Sequence, residues 1–388
     1  MTEFRVEINN LEDCLEKYIP KEELKEVKRI LYGRSDDRLE LPEETRKLAE
    51  KINLELKGYS IPAASEELRK PRIVRIGAIQ NAIVLPTTDP FEKQRNAIHN
   101  KVSEIIKIAS TANVNIVCMQ ECWPIPFGLC TMKKDPWCKF AEDAKTGPTT
   151  TLLKKLAKDY NMVIVSPIFE KDNDSYWNTV VVNSNRGNYI GKHRKNHIPR
   201  LDDCNELVYY PEGNTGHPVF ETDFGRIAIN ICYGRHHPQN WMMFGLNGAE
   251  IVFNPCAVDS EASEPLWGIE ARNAAVANSY FTVAVNRVGT EVYDHEFKST
   301  DGTIHHNFGP LFGSSYVAAP NGHRTPGLSR NTDGLLITEV DLNLCRQVKD
   351  FWGFRMTQRL DVYAESIARA SKADFKLQII RENCQDQV

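Results

Sequence analysis

Cys232 stands in the run Asn230-Ile231-Cys232-Tyr233-Gly234-Arg235-His236-His237-Pro238. The residues leading to it, Arg226-Ile227-Ala228-Ile229-Asn230, read as a strand, and a helical stretch over 238–246 follows. A cysteine at that junction lies at a strand's carboxyl end, where backbone N–H groups can stabilise a thiolate or an oxyanion. The placement suits a nucleophile, but it also suits a small buried apolar side chain. Other residues must decide between the two.

Glu121 ends the apolar run Ile116-Val117-Cys118-Met119-Gln120 and so falls at another strand's carboxyl end. A free thiol, with a pKa of about 8.5, needs a base to attack a weakly electrophilic carbonyl at neutral pH. Glu121 can take that proton and later return it to a departing amine. Lys195 lies in Gly191-Lys192-His193-Arg194-Lys195-Asn196-His197-Ile198-Pro199-Arg200. A buried ammonium there would favour the thiolate and the developing oxyanion. Each has a plainer reading, a surface ion pair for Glu121 and a solvated basic loop or phosphate patch around Lys195.

The elements that must position these residues alternate. Strands are expected at Ile73–Ile79, Asn115–Met119, Met162–Val165, Asn178–Val182, Arg226–Asn230, Ile251–Phe253 and Phe281–Val285. Helices are expected over 91–111, 149–160, 238–246 and 264–279, which points to α/β layers with helices covering sheet faces. The stretch 286–313, with Gly289, Gly302 and Gly309, is expected to be a mobile, loop-rich insertion over a site.

The first 70 of the 388 residues differ from the rest: 31 of them are charged, twice the frequency found further on, which sets a boundary near Lys70-Pro71. Asn10 is placed to cap a helix whose apolar residues Leu11, Cys14, Leu15 and Tyr18 share a face, and Leu24, Val27 and Leu31 repeat the spacing. Short one-sided helices must dock on the main domain or on another subunit.

With 48 basic and 52 acidic side chains, the formal net charge of −4 gives no reason to expect nucleic-acid or membrane-surface binding. The charged start, Met1-Thr2-Glu3-Phe4-Arg5, has no signal-peptide pattern, and no apolar window is long enough for a membrane span. The expected address is cytoplasmic, with the ten cysteines reduced. Ten Cys and ten His raise the question of metal, but no paired C-x-x-C elements with zinc spacing occur, so none is expected.

Glu121, Lys195 and Cys232 occur in that order within Gln120-Glu121-Cys122-Trp123, Arg194-Lys195-Asn196-His197-Ile198-Pro199 and the 230–238 run. Together with Glu270-Ala271-Arg272-Asn273-Ala274-Ala275, these motifs resemble the nitrilase/carbon–nitrogen hydrolase superfamily, and within it the β-ureidopropionase branch. The likeness reaches the N-terminal segment through Leu11-Glu12-Asp13-Cys14-Leu15-Glu16-Lys17 and Glu26-Val27-Lys28-Arg29-Ile30-Leu31-Tyr32-Gly33.

The resemblance implies a nitrilase-type α-β-β-α sandwich over 71–388, with residues 1–70 as an N-terminal helical extension serving oligomerisation. It implies Glu121 as general base and acid, Lys195 as the oxyanion-stabilising cation, Cys232 as nucleophile and Glu206 as a second site glutamate. The implied reaction converts N-carbamoyl-β-alanine, and its one-methyl-larger homologue N-carbamoyl-β-aminoisobutyrate, to the β-amino acid, ammonia and carbon dioxide. That reaction belongs to reductive pyrimidine degradation, needs no cofactor, and is carried out by a homodimer or larger homo-oligomer. One stretch departs from the branch: Leu201-Asp202-Asp203-Cys204-Asn205-Glu206-Leu207-Val208 lacks its usual glycine and aromatic residue.

Such a ureido acid carries a carboxylate at the end remote from the reacting carbon. Arg235 and His236, three and four positions after Cys232, match basic residues that hold that carboxylate in related carbamoyl-amino-acid hydrolases, and arginine can grip it with two parallel hydrogen bonds. The competing reading ties both to structural carboxylates. Tyr233 is placed to give its backbone N–H to the oxyanion. A family amidase or carbamoylase for another small amide, or an idle self-assembling scaffold, would keep the same frame.

Overall fold

The computed structural model describes residues 8–34, 38–200, 206–259, 263–299 and 302–380. A seven-stranded sheet takes in β1 (Glu55–Ile61), β2 (Ile73–Gln80), β3 (Ile116–Met119), β4 (Val163–Asp172), β5 (Ser175–Asn183) and β6 (Tyr189–Arg194). A five-stranded sheet is built on β7 (Phe220–Thr222), β8 (Gly225–Ile229), β9 (Ile251–Pro255) and β10 (Phe281–Val285). After a separate hairpin of β11 (Val288–Lys298) and β12 (Ile304–Phe312), β13 (Tyr316–Ala318) joins the second sheet and β14 (Gly334–Asp341) the first. The strand orders are β1-β14-β2-β3-β4-β5-β6 and β13-β10-β9-β8-β7.

Alternation along the strands makes the layers, because successive side chains point to opposite faces. Val74, Ile76 and Ala78 of β2, with Ile116 and Cys118 of β3, share one core with Ile227, Ile229, Ile251 and Phe253 of the second sheet. Ile79, Val117, Met119 and Ile164 face the other way, onto helices. Those helices are α3 (Glu43–Lys51), α4 (Phe91–Thr111) and α5 (Pro148–Asp159). They supply Ala49, Ile98, Val102, Ile105, Leu153 and Ala157. α6 (Pro238–Leu246) and α7 (Glu264–Asn278) bring Trp241, Phe244, Trp267 and Ala271 to the second sheet. The expected α-β-β-α sandwich is what forms.

The N-terminal segment is more than helical. Asn10 caps α1 (Leu11–Tyr18), its Oδ1 accepting from Glu12 N at 2.8 Å and Asp13 N at 3.4 Å. α2 (Lys21–Tyr32) ends at Gly33, whose φ of +85° favours glycine and which packs against His323. β1 then pairs in parallel with β14, from Glu55↔Gly334 to Ile61↔Val340, so the chain ahead of Lys70-Pro71 supplies an edge strand to the main sheet. The helices do not bury the face the spacing suggests: Leu11 is 51% and Tyr18 71% exposed, whereas Glu12 and Tyr32 are buried and hydrogen-bonded together.

The stretch 286–313 is not a loop-rich insertion; it forms the antiparallel β11–β12 hairpin, with register shifts between Gly289 and Glu291 and between Val292 and Phe297. Its buried residues Tyr293, Phe297, Phe308 and Leu311 pack with Phe127, Trp137 and Tyr209. The positive-φ glycines that suggested a loop lie at irregularities of the pairing and near the hairpin's turn. No helix among the described residues is long and apolar enough to cross a membrane.

Candidate active site

Three strands deliver the three residues. Glu121 follows β3, Lys195 directly follows β6, and Cys232 lies three residues past β8. The Glu121 N–H donates to Cys256 O at 3.4 Å, tying the first sheet to the second at this point. Lys195 N donates to Asn178 O at 2.9 Å, and Gly213 N to Lys195 O at 2.7 Å, so the backbone on both sides of the lysine is fixed.

Cys232 opens a short 3-10 turn, Cys232–His236, with φ at +40°, a left-handed conformation that costs energy for a residue with a side chain. Asn254 braces it, Nδ2 donating to Asn230 O at 2.5 Å and Cys232 O at 3.5 Å. A Cβ on Gly234 would lie 2.2 Å from Asn230 Oδ1 and 2.9 Å from Asn240 Nδ2, so a side chain there would have to displace that buried amide pair.

Lys195 Nζ donates to Glu121 Oε1 at 2.8 Å and to Glu206 Oε2 at 2.6 Å, with all three residues at most 1% exposed. Asn178 Nδ2 donates to Glu121 Oε1 at 2.7 Å, Ala257 N to Glu121 Oε2 at 3.1 Å, and the Tyr210 hydroxyl to Glu206 Oε2 at 2.5 Å. Burial, and then the negative charge of a Cys232 thiolate, push Glu121 up to about 7 despite the opposing ammonium. Burial alone would lower Lys195, but Glu121 and Glu206 hold it well above its ordinary value. Burial also raises Glu206.

The Cys232 thiol is pulled well below the usual thiol range, first by hydrogen bonding from the Cys256 thiol and then, against the effect of burial, by Lys195 and Arg235. Arg235 Nη1 lies 3.9 Å from Cys232 Sγ. The Cys256 proton has a second acceptor in Asn254 Oδ1, 3.2 Å from its sulfur.

Arg235 and His236 converge on one carboxylate. Arg235 Nε lies 3.0 Å from Glu270 Oε2, and His236 Nδ1 is 2.6 Å from Glu270 Oε1. The Arg235 guanidinium is buried, facing Cys232 at one end and Trp267 at the other. The Tyr233 ring packs edge-on against His236 and His237. Residues 201–205 of the departing stretch lie outside the described residues, and Glu206–Val208 forms a short 3-10 turn. Among the described residues no group of three His, Cys, Asp or Glu is arranged to hold a metal ion.

Several neighbours escaped the sequence reading. Asn178 opens an apolar strand run and Tyr210 follows another tyrosine, so neither carries a spacing signal. Cys256 was one thiol among ten; its partner lies 24 positions away, and only the β8–β9 register, with Ile229↔Phe253 at the same offset, brings the two together.

Residues 75–350 match the family model described as carbon-nitrogen hydrolase. The chain is 55% identical over 382 residues to the β-ureidopropionase of Arabidopsis thaliana, covering 96% of this chain and 93% of that one. It is 29% identical over 265 residues to the N-carbamoylputrescine amidase of the same plant, covering 67% and 86%. The crystal structure of a carbon-nitrogen hydrolase from Helicobacter pylori G27 superposes with a TM-score of 0.66 at 24% identity, covering 76% of this chain and 98% of that one.

Proposed function

The chain belongs to the carbon-nitrogen hydrolase family, and from that premise we propose that it hydrolyses N-carbamoyl-β-alanine to β-alanine, ammonia and carbon dioxide. N-carbamoyl-β-aminoisobutyrate is a second substrate, since one extra methyl changes discrimination by only about 1–3 kcal/mol. The reaction is a step of reductive pyrimidine degradation. The observation that carries the substrate is the 55% identity, over 96% of this chain, to a β-ureidopropionase.

In this reading Cys232 attacks the ureido carbon, and Lys195 with the Tyr233 backbone N–H stabilises the oxygen as it becomes negative. Glu121 hands a proton to the departing nitrogen, then takes one from the water that opens the covalent thiol adduct. Support for Glu121 comes from its position near neutrality, where it can run in both directions. Glu206 balances and orients Lys195. Arg235 and His236 receive the substrate carboxylate. No cofactor takes part.

A second reading is favoured by one observation. Glu270 already opposes the charge of Arg235 and bonds His236, as suits a subsite for a neutral or cationic ureido compound. The shorter, 29% match to an N-carbamoylputrescine amidase is the counterpart of that reading.

Residues 1–70 act in self-association, giving a homodimer or larger assembly. Exposed Leu11, Tyr18, Ile30 and Leu31 on α1 and α2 support that role. The address is cytoplasmic, a reading supported by the free state of every described cysteine. Assay of β-alanine release, with and without Cys232, tests the proposed reaction and its nucleophile.

A further inference from the structure

Arg287 lies two residues past β10, at the entry to β11, and is 1% exposed. Its guanidinium reaches across to the turn that follows β3. Nη2 donates to the main-chain oxygens of Glu121 at 3.0 Å and Cys122 at 2.8 Å, and Nη1 to that of Ile125 at 2.9 Å. Nη1 also meets Glu291 Oε1 at 2.5 Å. The other oxygen of Glu291 accepts from Phe127 N at 2.5 Å and from the Tyr293 hydroxyl at 3.1 Å. One buried ion pair therefore holds the 121–127 turn from its first residue to its last.

That turn is in a costly conformation. Cys122 has a φ of +46°, and its carbonyl is one of the three gathered by Arg287. The main chain at 121 and 122 sets the direction in which the Glu121 carboxyl leaves the backbone toward Lys195 and Asn178. Three carbonyls with one carboxylate match the planar donor fork of arginine; an ammonium has fewer donors, in a different geometry.

We propose that Arg287 is a positioning residue for Glu121: by collecting the carbonyls of Glu121, Cys122 and Ile125, with Glu291 as counter-ion, it fixes the aim of the proton-transferring carboxyl. The proposal rests on the reading of Glu121 given above. It also gives the β11–β12 hairpin a second task, since the same pair anchors that hairpin to the turn.

The test compares Arg287→Met, Arg287→Lys, Glu121→Gln and the Glu121→Gln/Arg287→Met double variant in kcat and KM for N-carbamoyl-β-alanine, corrected for folded fraction. A misplacement of about an ångström can cost on the order of a hundredfold in rate, so Arg287→Met should lose roughly that in kcat, with KM within about threefold. Arg287→Lys, which keeps the charge, should recover part of the loss. In the Glu121→Gln background, Arg287→Met should add less than about threefold, because the group it aims is gone.

A full further loss in the double variant, as a merely structural role produces, overturns the proposal, as does wild-type kcat in Arg287→Met. If Arg287→Met does not fold, Arg287→Lys decides: a kcat at least about tenfold down with KM unchanged supports the proposal, and wild-type kcat overturns it. Wild-type kcat in Glu121→Gln alone would instead sink the reading of Glu121, and that outcome is distinct from the others.

Discussion

The Lys195 ammonium donates at 2.8 Å to Glu121 Oε1, with neither side chain open to solvent. The same ammonium holds Glu206 at 2.6 Å, so one buried cation faces two buried carboxylates, where screening is weak. Burial, and then the negative charge of a Cys232 thiolate, is why Glu121 retains a proton up to about pH 7 although a cation touches it.

This arrangement predicts a descending pH profile. Beside a Cys232 thiolate, Glu121 must carry in the free enzyme the proton it hands to the departing nitrogen, so kcat/KM should fall as the pH rises through about 7. Glu121 and Cys232 interact, so the midpoint belongs to the pair. Steady-state rates across the neutral range check this; a profile flat well into the alkaline region would contradict it.

The same shift has a consequence for stability. Glu121 binds its proton more tightly folded than unfolded, so its contribution is complete below about pH 4.5 and is lost as the pH rises through about 7. The Glu121→Gln variant should therefore gain on the wild type, in urea midpoint, between mildly acid and mildly alkaline solution. A pH-independent difference would mean that Glu121 is not held protonated.

Loss of a general acid and base typically costs about 10²- to 10⁴-fold. Glu121→Gln should lose that much in kcat while iodoacetamide still alkylates Cys232. Turnover and alkylation falling together would place the damage at the thiol.

Lys195→Met leaves two buried carboxylates without their cation, and breaking such a pair costs about 3–5 kcal/mol. Denaturant unfolding should register a loss of that order, and adding Glu206→Gln should restore part of it.

Much of this was legible beforehand. Cys232 and Glu121 follow apolar strands that keep a clean pattern, so their placement at strand ends could be read locally. β1 and β14 could not, because Glu55 and Lys57 in the one and Thr338 and Glu339 in the other interrupt the apolar runs, and their pairing spans most of the chain. The hairpin over 288–312 was hidden for a similar reason: its buried positions include Glu291, which no hydrophobic pattern would place inside. Arg287, Asn178 and Cys256 reach the site only through tertiary contacts.

Arg235 separates the two substrate readings. If it grips a carboxylate, Arg235→Ala should cost about 2 kcal/mol or more, roughly thirtyfold in kcat/KM, for the ureido acid and little for a neutral ureido analogue. Equal losses on both would show that Arg235 serves the thiol or Glu270.

Removal of residues 1–34 should reduce the mass of the assembly measured by light scattering, with the cut kept clear of β1 so that the main sheet stays whole. An unchanged mass would remove these helices from the interface.

The central claim is tested most directly by β-alanine release from N-carbamoyl-β-alanine, measured for the wild type and for Cys232→Ala with a chelator in both assays. The account predicts turnover by the wild type that survives chelation and disappears in the variant. Turnover that persists without Cys232, or that the chelator abolishes, would contradict the thiol mechanism; a folded wild type that releases no β-alanine would contradict the substrate.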